Sequence, residues 1–162
     1  MTVRECYEKM GANYDGVLSR LGNEMLIRKF VIKFLKDPSF QDLTAAIEES
    51  DAESAFRAAH TLKGICLNLG FDNLYKPSEA LTEKLRGGEL NGYETLYDEV
   101  KEQYDKTVEQ LTKLQNKNNQ EGMSKCGIID IPFLLMENSL YQYHIQDGSA
   151  ADTQQSTFPL WS

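Results

Sequence analysis

The chain has no basic block, no apolar run of membrane-spanning length, and few residues of the kinds that carry metal or redox chemistry. Its three cysteines, Cys6, Cys66 and Cys126, lie far apart and show no paired-ligand spacing. Their odd number and separation fit a reducing compartment better than a disulfide framework. Only two histidines occur, His60 and His144. A metal site made from these and a cysteine would lack the usual close ligand spacing, so neither a metal nor another cofactor is expected. A formal charge of -8 argues against a nucleic-acid partner. The start, Met1 to Tyr7, has no secretory apolar stretch, and the apolar patch Ile128–Met136 is short and carries Asp130 and Pro132. No membrane association is expected, and the expected location is the cytoplasm. A Walker-type glycine loop is also missing, so the chain is not expected to phosphorylate itself from ATP.

What remains is a chain with 41% hydrophobic and 26% charged residues, an ordinary balance for a globular protein that buries its own core. The first two-thirds reads as one helix after another. Thr2 to Glu5 has capping-box spacing and opens a short helical segment. Gly11 and Gly22 punctuate a second short segment, Asn13–Leu21. From Asn23 to about Lys36, the residues Met25, Leu26, Phe30, Val31, Phe34 and Leu35 make a broad apolar face. Asp37-Pro38 ends that helix and starts another, with Asp37 as cap and Pro38 at the first helical position. It runs to about Ser50 with Phe40, Leu43, Ala46 and Ile47 inward.

Asp51 caps a long helix whose apolar stripe is Ala52, Ala55, Phe56, Ala59, Leu62, Cys66 and Leu69, and Gly70 ends or bends it. A further helix, about Asp72 to Arg86, turns Leu74, Leu81 and Leu85 inward and is closed by Gly87-Gly88. Pro77 removes a backbone donor inside this stretch, so the helix either starts near Lys76 or kinks there. The cleanest periodicity belongs to Tyr93 to Asn116, through Tyr97, Val100, Tyr104, Val108, Leu111 and Leu114. These amphipathic helices with short connections predict an all-α fold, an antiparallel four-helix bundle preceded by short helical segments. A bundle that closes on its own core is expected to be a monomer.

After Lys117 the pattern stops. Residues 1–116 are read as the bundle and 117–162 as a largely irregular tail, with small polar residues concentrated in Gly148–Thr157. Ile128–Met136 could pack locally or engage a partner, but a poorly ordered tail with one sticky patch is the simpler expectation.

The chemically informative stretch is Phe56-Arg-Ala-Ala-His60-Thr-Leu-Lys63-Gly64, running on to Asn68-Leu69-Gly70. Residues three and four apart are neighbours on a helix, so Lys63 and Gly64 both lie beside His60. A histidine that accepts and passes on a phosphoryl group needs a reachable ring, a cation where phosphate charge arrives, and low ground for a partner's approach. Lys63 supplies the cation, although it is equally an ordinary solvated helix lysine. Gly64 in mid-helix costs about 1 kcal/mol relative to alanine. Either another molecule approaches there or a neighbouring helix of the bundle packs closely. Phe56 and Leu67, the latter two turns beyond His60, form an apolar rim or belong to the core. For His144 a surface role suffices.

These residues make the stretch from about Asn13 to Leu114 resemble a histidine phosphotransfer (HPt) domain. Val17-Leu18-Ser-Arg-Leu21-Gly22-Asn23 is similar to the family's opening segment, and Asp51-Ala52-Glu53 to its turn before the histidine helix. The resemblance implies that His60 is the phosphoacceptor, that Lys63 steadies the phosphoryl group and that Gly64 clears the approach. The implied partner is the receiver domain of a response regulator or hybrid histidine kinase in a two-component phosphorelay, with the chain as phosphocarrier. Many members carry Gln or Glu near the imidazole on the following helix; Thr82 stands at the nearest position here. Two alternatives are a bundle that only binds proteins, with His60 inert, and the HPt part of a larger sensor kinase.

Overall fold

The computed structural model describes residues 1–120. Every regular element among them is a helix: α1 (Val3–Met10), α2 (Tyr14–Leu21), α3 (Glu24–Phe34), α4 (Ser39–Glu48), α5 (Ala52–Leu69), α6 (Asp72–Leu85) and α7 (Glu94–Gln120). The fold is therefore all-α, as the spacing of apolar residues predicts, and no helix among the described residues is long and apolar enough to cross a membrane. The expectations for Cys126, Ile128–Met136, His144 and Gly148–Thr157 fall outside the described residues. Helix α7 runs on past Asn116, the end expected for the bundle, to Gln120.

Local signals set most of the helix ends. Thr2 and Glu5 form a reciprocal capping box, and Asn13, Asn23 and Asp51 each accept a backbone amide at the start of α2, α3 and α5. Gly11, Gly22 and Gly70 take up left-handed backbone at the ends of α1, α2 and α5. The start of α4 falls one residue later than the Asp-Pro pattern implies. Ser39 is the first helical residue, Pro38 flanks it, and the Asp37 carboxylate accepts the Ser39 amide at 3.0 Å. Helix α6 begins at Asp72 and continues through Pro77, so a start near Lys76 is not what forms. Proline in the second turn removes only the donor that would meet the Asn73 carbonyl.

Helices α4 to α7 make the bundle, each packed on its chain neighbour across a short connection. Buried Leu43, Ala55, Leu62, Leu74, Leu81, Leu85 and Val100 fill it, each large aliphatic side chain contributing about 1.5–3 kcal/mol of burial. Helices α1 to α3 join the bundle through a run of aromatic rings. Tyr14 meets Tyr7, Tyr7 meets Phe71, Phe71 meets Phe34, and Phe34 meets Tyr104, with ring centroids 5.2–5.9 Å apart. Phe40 then stacks on Tyr104 at 4.0 Å and on Tyr97 at 6.2 Å. In α3 the buried residues are Ile27, Val31 and Phe34, whereas Met25, expected on the apolar face, is 72% exposed. Met25 stands on the opposite side of the helix from these three.

The end of α5 is the tightest join. Gly70 has φ +64°, and a Cβ there would lie 2.7 Å from the Asn13 carbonyl oxygen. The Asn13 amide in turn donates to the Gly70 carbonyl at 2.7 Å. Gly70→Ala combines left-handed strain with a backbone clash and is expected to lower stability by about 2–4 kcal/mol. Denaturant unfolding of the variant against wild type measures it, and a loss below about 0.5 kcal/mol would show that the junction yields.

Candidate functional site

Helix α5 carries the candidate residues because its start is fixed and one side is sunk in the core. The Asp51 carboxylate accepts the Ser54 amide at 3.0 Å and the Ser54 hydroxyl at 2.6 Å. These bonds, the hydroxyl's first, hold the Asp51 carboxyl below its ordinary range. Ala55, Ala58, Ala59, Leu62, Ile65, Cys66 and Leu69 are buried. That choice turns the flank holding Phe56, His60, Lys63, Gly64 and Leu67 outward, and the structure brings these five together along three turns.

His60 is exposed, with its ring 6.0 Å from the half-buried Phe56 ring. Lys63 lies flatter: its side chain is 18% exposed and its Nζ is 4.0 Å from the Glu83 carboxylate on α6. A lysine whose stem lies along the protein while its head faces a carboxylate is placed rather than loose. At Gly64 an added Cβ would meet nothing within 4 Å. The bundle therefore does not need glycine there for close packing, and the surface beside the imidazole is open. Leu67 is 42% exposed, unusual here for a large hydrophobic side chain.

Thr82 does not belong to this surface. It is fully buried, and its hydroxyl donates to the Ser78 carbonyl at 2.6 Å. It lies on the inward stripe of α6 with Leu74, Ser78, Leu81 and Leu85. The neighbouring residue, Glu83, is the one on the exposed flank of α6, facing Lys63. The Arg86 guanidinium grips Glu83 through two bonds, Nε at 2.8 Å and a terminal nitrogen at 2.7 Å. The bond from Arg86 leads in holding the Glu83 carboxyl below its ordinary value, with the charges of Arg86, Lys63 and His60 helping. Arg86 also stands 5.7 Å over the Phe56 ring, within cation–π range. Glu83 and Arg86 thus line the α6 side of this surface, Glu83 within electrostatic reach of His60 and Arg86 over Phe56. The three-four spacing of Leu74, Ser78, Leu81 and Leu85 already assigns Thr82 to the inner stripe and leaves Glu83 on its flank.

The described cysteines stand apart from this chemistry. Cys6 and Cys66 are both buried; burial pushes the Cys6 thiol up to about 11 and the Cys66 thiol upward as well. Neither is poised as a thiolate nucleophile. Among the described residues no group of three His, Cys, Asp or Glu side chains could hold a metal ion.

The surface thus offers a reachable ring nitrogen, a cation one turn away and bare backbone beside both. No curated protein and no solved structure matches the chain. A family model, Hpt domain, matches residues 37–115. The matched segment holds α4, α5, α6 and most of α7 with all five outward α5 residues, and it leaves α1 to α3 outside. Residues 37–115 thus form an Hpt domain, a member of the histidine-phosphotransfer family.

Proposed function

We propose that this protein relays phosphoryl groups between His60 and the aspartate of a receiver domain in a response regulator or hybrid histidine kinase. The observation that carries this is the open ground at Gly64 beside an exposed imidazole and a placed ammonium. A ring nitrogen of neutral His60 attacks the phosphorus of the partner's aspartyl phosphate. The new P–N bond forms as the P–O bond to the aspartate breaks, and the carboxylate leaves with the bonding electrons. The reverse step returns the phosphoryl group to an aspartate. Such transfers pass through a loose transition state, so placement and charge stabilisation do most of the catalysis. The chain acts as a monomeric phosphocarrier, without kinase activity of its own.

Lys63 meets the phosphoryl oxygens by leaving Glu83. Their contact is at the 4.0 Å limit of an ion pair and Glu83 is half exposed, so the exchange is cheap. Glu83 keeps its two bonds to Arg86 throughout. Lys63→Ala is expected to slow transfer about tenfold, equivalent to about 1.4 kcal/mol of lost charge stabilisation. Single-turnover transfer from a phosphorylated receiver measures this; an unchanged rate would leave Lys63 as a surface lysine.

The test of the function is incubation with a phosphorylated receiver domain. Wild-type protein should acquire a phosphate that is labile in acid and stable in base. A bundle that only binds receivers would form the complex and take no label.

A further inference from the structure

The last carbonyls of any helix lack intrahelical donors. At the end of α5 each has found one. The Phe71 amide closes on the Cys66 carbonyl at 2.9 Å. The Gly70 amide reaches the Leu67 carbonyl at 3.3 Å, and one guanidinium nitrogen of Arg20 donates to the carbonyls of Leu67 at 3.1 Å and Asn68 at 3.0 Å. The Tyr7 hydroxyl donates to Leu69 at 2.7 Å, and the Asn13 amide to Gly70 at 2.7 Å. Three of these donors come from the α1–α2 region, ahead of the segment matched by the family model.

They are not equivalent. Tyr7 is buried and anchors α1 in the core, and Asn13 acts through its backbone. Arg20 is an exposed residue whose guanidinium is committed to these two carbonyls. Its charge stands at the negative end of the α5 dipole. One of its bonds goes to Leu67 itself, the exposed apolar residue two turns beyond His60.

We propose that Arg20 is a positioning residue for the phosphotransfer surface: by tying the Leu67 and Asn68 carbonyls, it holds the final turn of α5, and Leu67 with it, where a docking receiver meets the protein. The proposal rests on the relay function above. Leu67 lies seven residues from His60, about 10 Å along the helix, so Arg20 acts on docking and does not touch the phosphoryl group. Helix α2, outside the matched segment, thereby shapes a surface carried on α5.

The test compares wild type, Arg20→Ala and Arg20→Lys by two measurements. In transfer from a phosphorylated receiver, Arg20→Ala should raise KM about five- to tenfold and leave kcat within about twofold, the pattern of lost binding rather than lost chemistry. Arg20→Lys keeps a donor and the charge and should recover most of the loss. In native-state hydrogen exchange, the Gly70 and Phe71 amides should exchange about tenfold faster in Arg20→Ala, while the Gly64 amide keeps its wild-type rate. A wild-type KM, a fall in kcat instead, no recovery with lysine, or unchanged exchange at Gly70 and Phe71 would each overturn the proposal. If wild-type protein takes no phosphoryl group, the relay function fails separately, and the exchange comparison still decides whether Arg20 holds the turn.

Discussion

His60→Gln loses phosphoryl uptake to background while the bundle remains as stable as wild type. Glutamine matches the polarity and approximate reach of histidine but has no nucleophilic ring nitrogen. The side chain stands outside the core, with Phe56 beside its ring and Glu83 as an electrostatic neighbour. The substitution should therefore change stability by no more than about 0.5 kcal/mol, as for a surface site. Labelling from a phosphorylated receiver and denaturant unfolding, run on the same preparation, separate the two effects. Acid-labile label persisting in His60→Gln would move the acceptor elsewhere, with His144 the other histidine in the sequence.

The second large effect is expected at Gly64, where two substitutions should pull in opposite directions. A Cβ there meets nothing, so Gly64→Ala removes the backbone entropy cost of glycine in mid-helix and should stabilise the protein by about 1 kcal/mol. Gly64→Leu should also fold, because leucine is a good helix former and the space is open. Its side chain, however, occupies the ground that the proposed relay needs a receiver to cross. Overfilling a fitted contact costs about 1–3 kcal/mol, so transfer should fall roughly 10- to 100-fold. Unfolding curves together with single-turnover transfer decide the matter. A Gly64→Leu protein that unfolds would return this glycine to internal packing, and one that transfers normally would take Gly64 out of the docking path.

The bundle and the core of the site are legible in the sequence because their signals are local. Capping residues and glycines at 2, 13, 22, 23, 51 and 70 mark helix ends by chemistry that operates within a turn. The five outward residues of α5 share a face by spacing alone. Spacing does not say whether Gly64 faces solvent or another helix, since that depends on where α4 and α6 pass. The α6 side of the site lies one residue from the expected position, although there the apolar spacing does carry the signal. Thr82 and Glu83 are adjacent in sequence but about 100° apart around the helix, so the stripe through Leu74, Leu81 and Leu85 takes Thr82 inward and leaves Glu83 on its flank. Arg20 is out of reach entirely, because its partners lie 47 and 48 residues away. Met25 shows the reverse failure: an apolar residue counted on the inner face, yet on the opposite side of α3 from the buried Ile27, Val31 and Phe34.

The placement of ring, ammonium and gap on one helix has a corollary. Their mutual distances are set by a single rigid rod and survive any tilt or slide of its neighbours. Glu83 and Arg86 on α6 and Arg20 on α2 do not share that constraint. On the relay proposed above, changes at those margins would alter which receiver docks and leave the spacing of acceptor, cation and gap as it was.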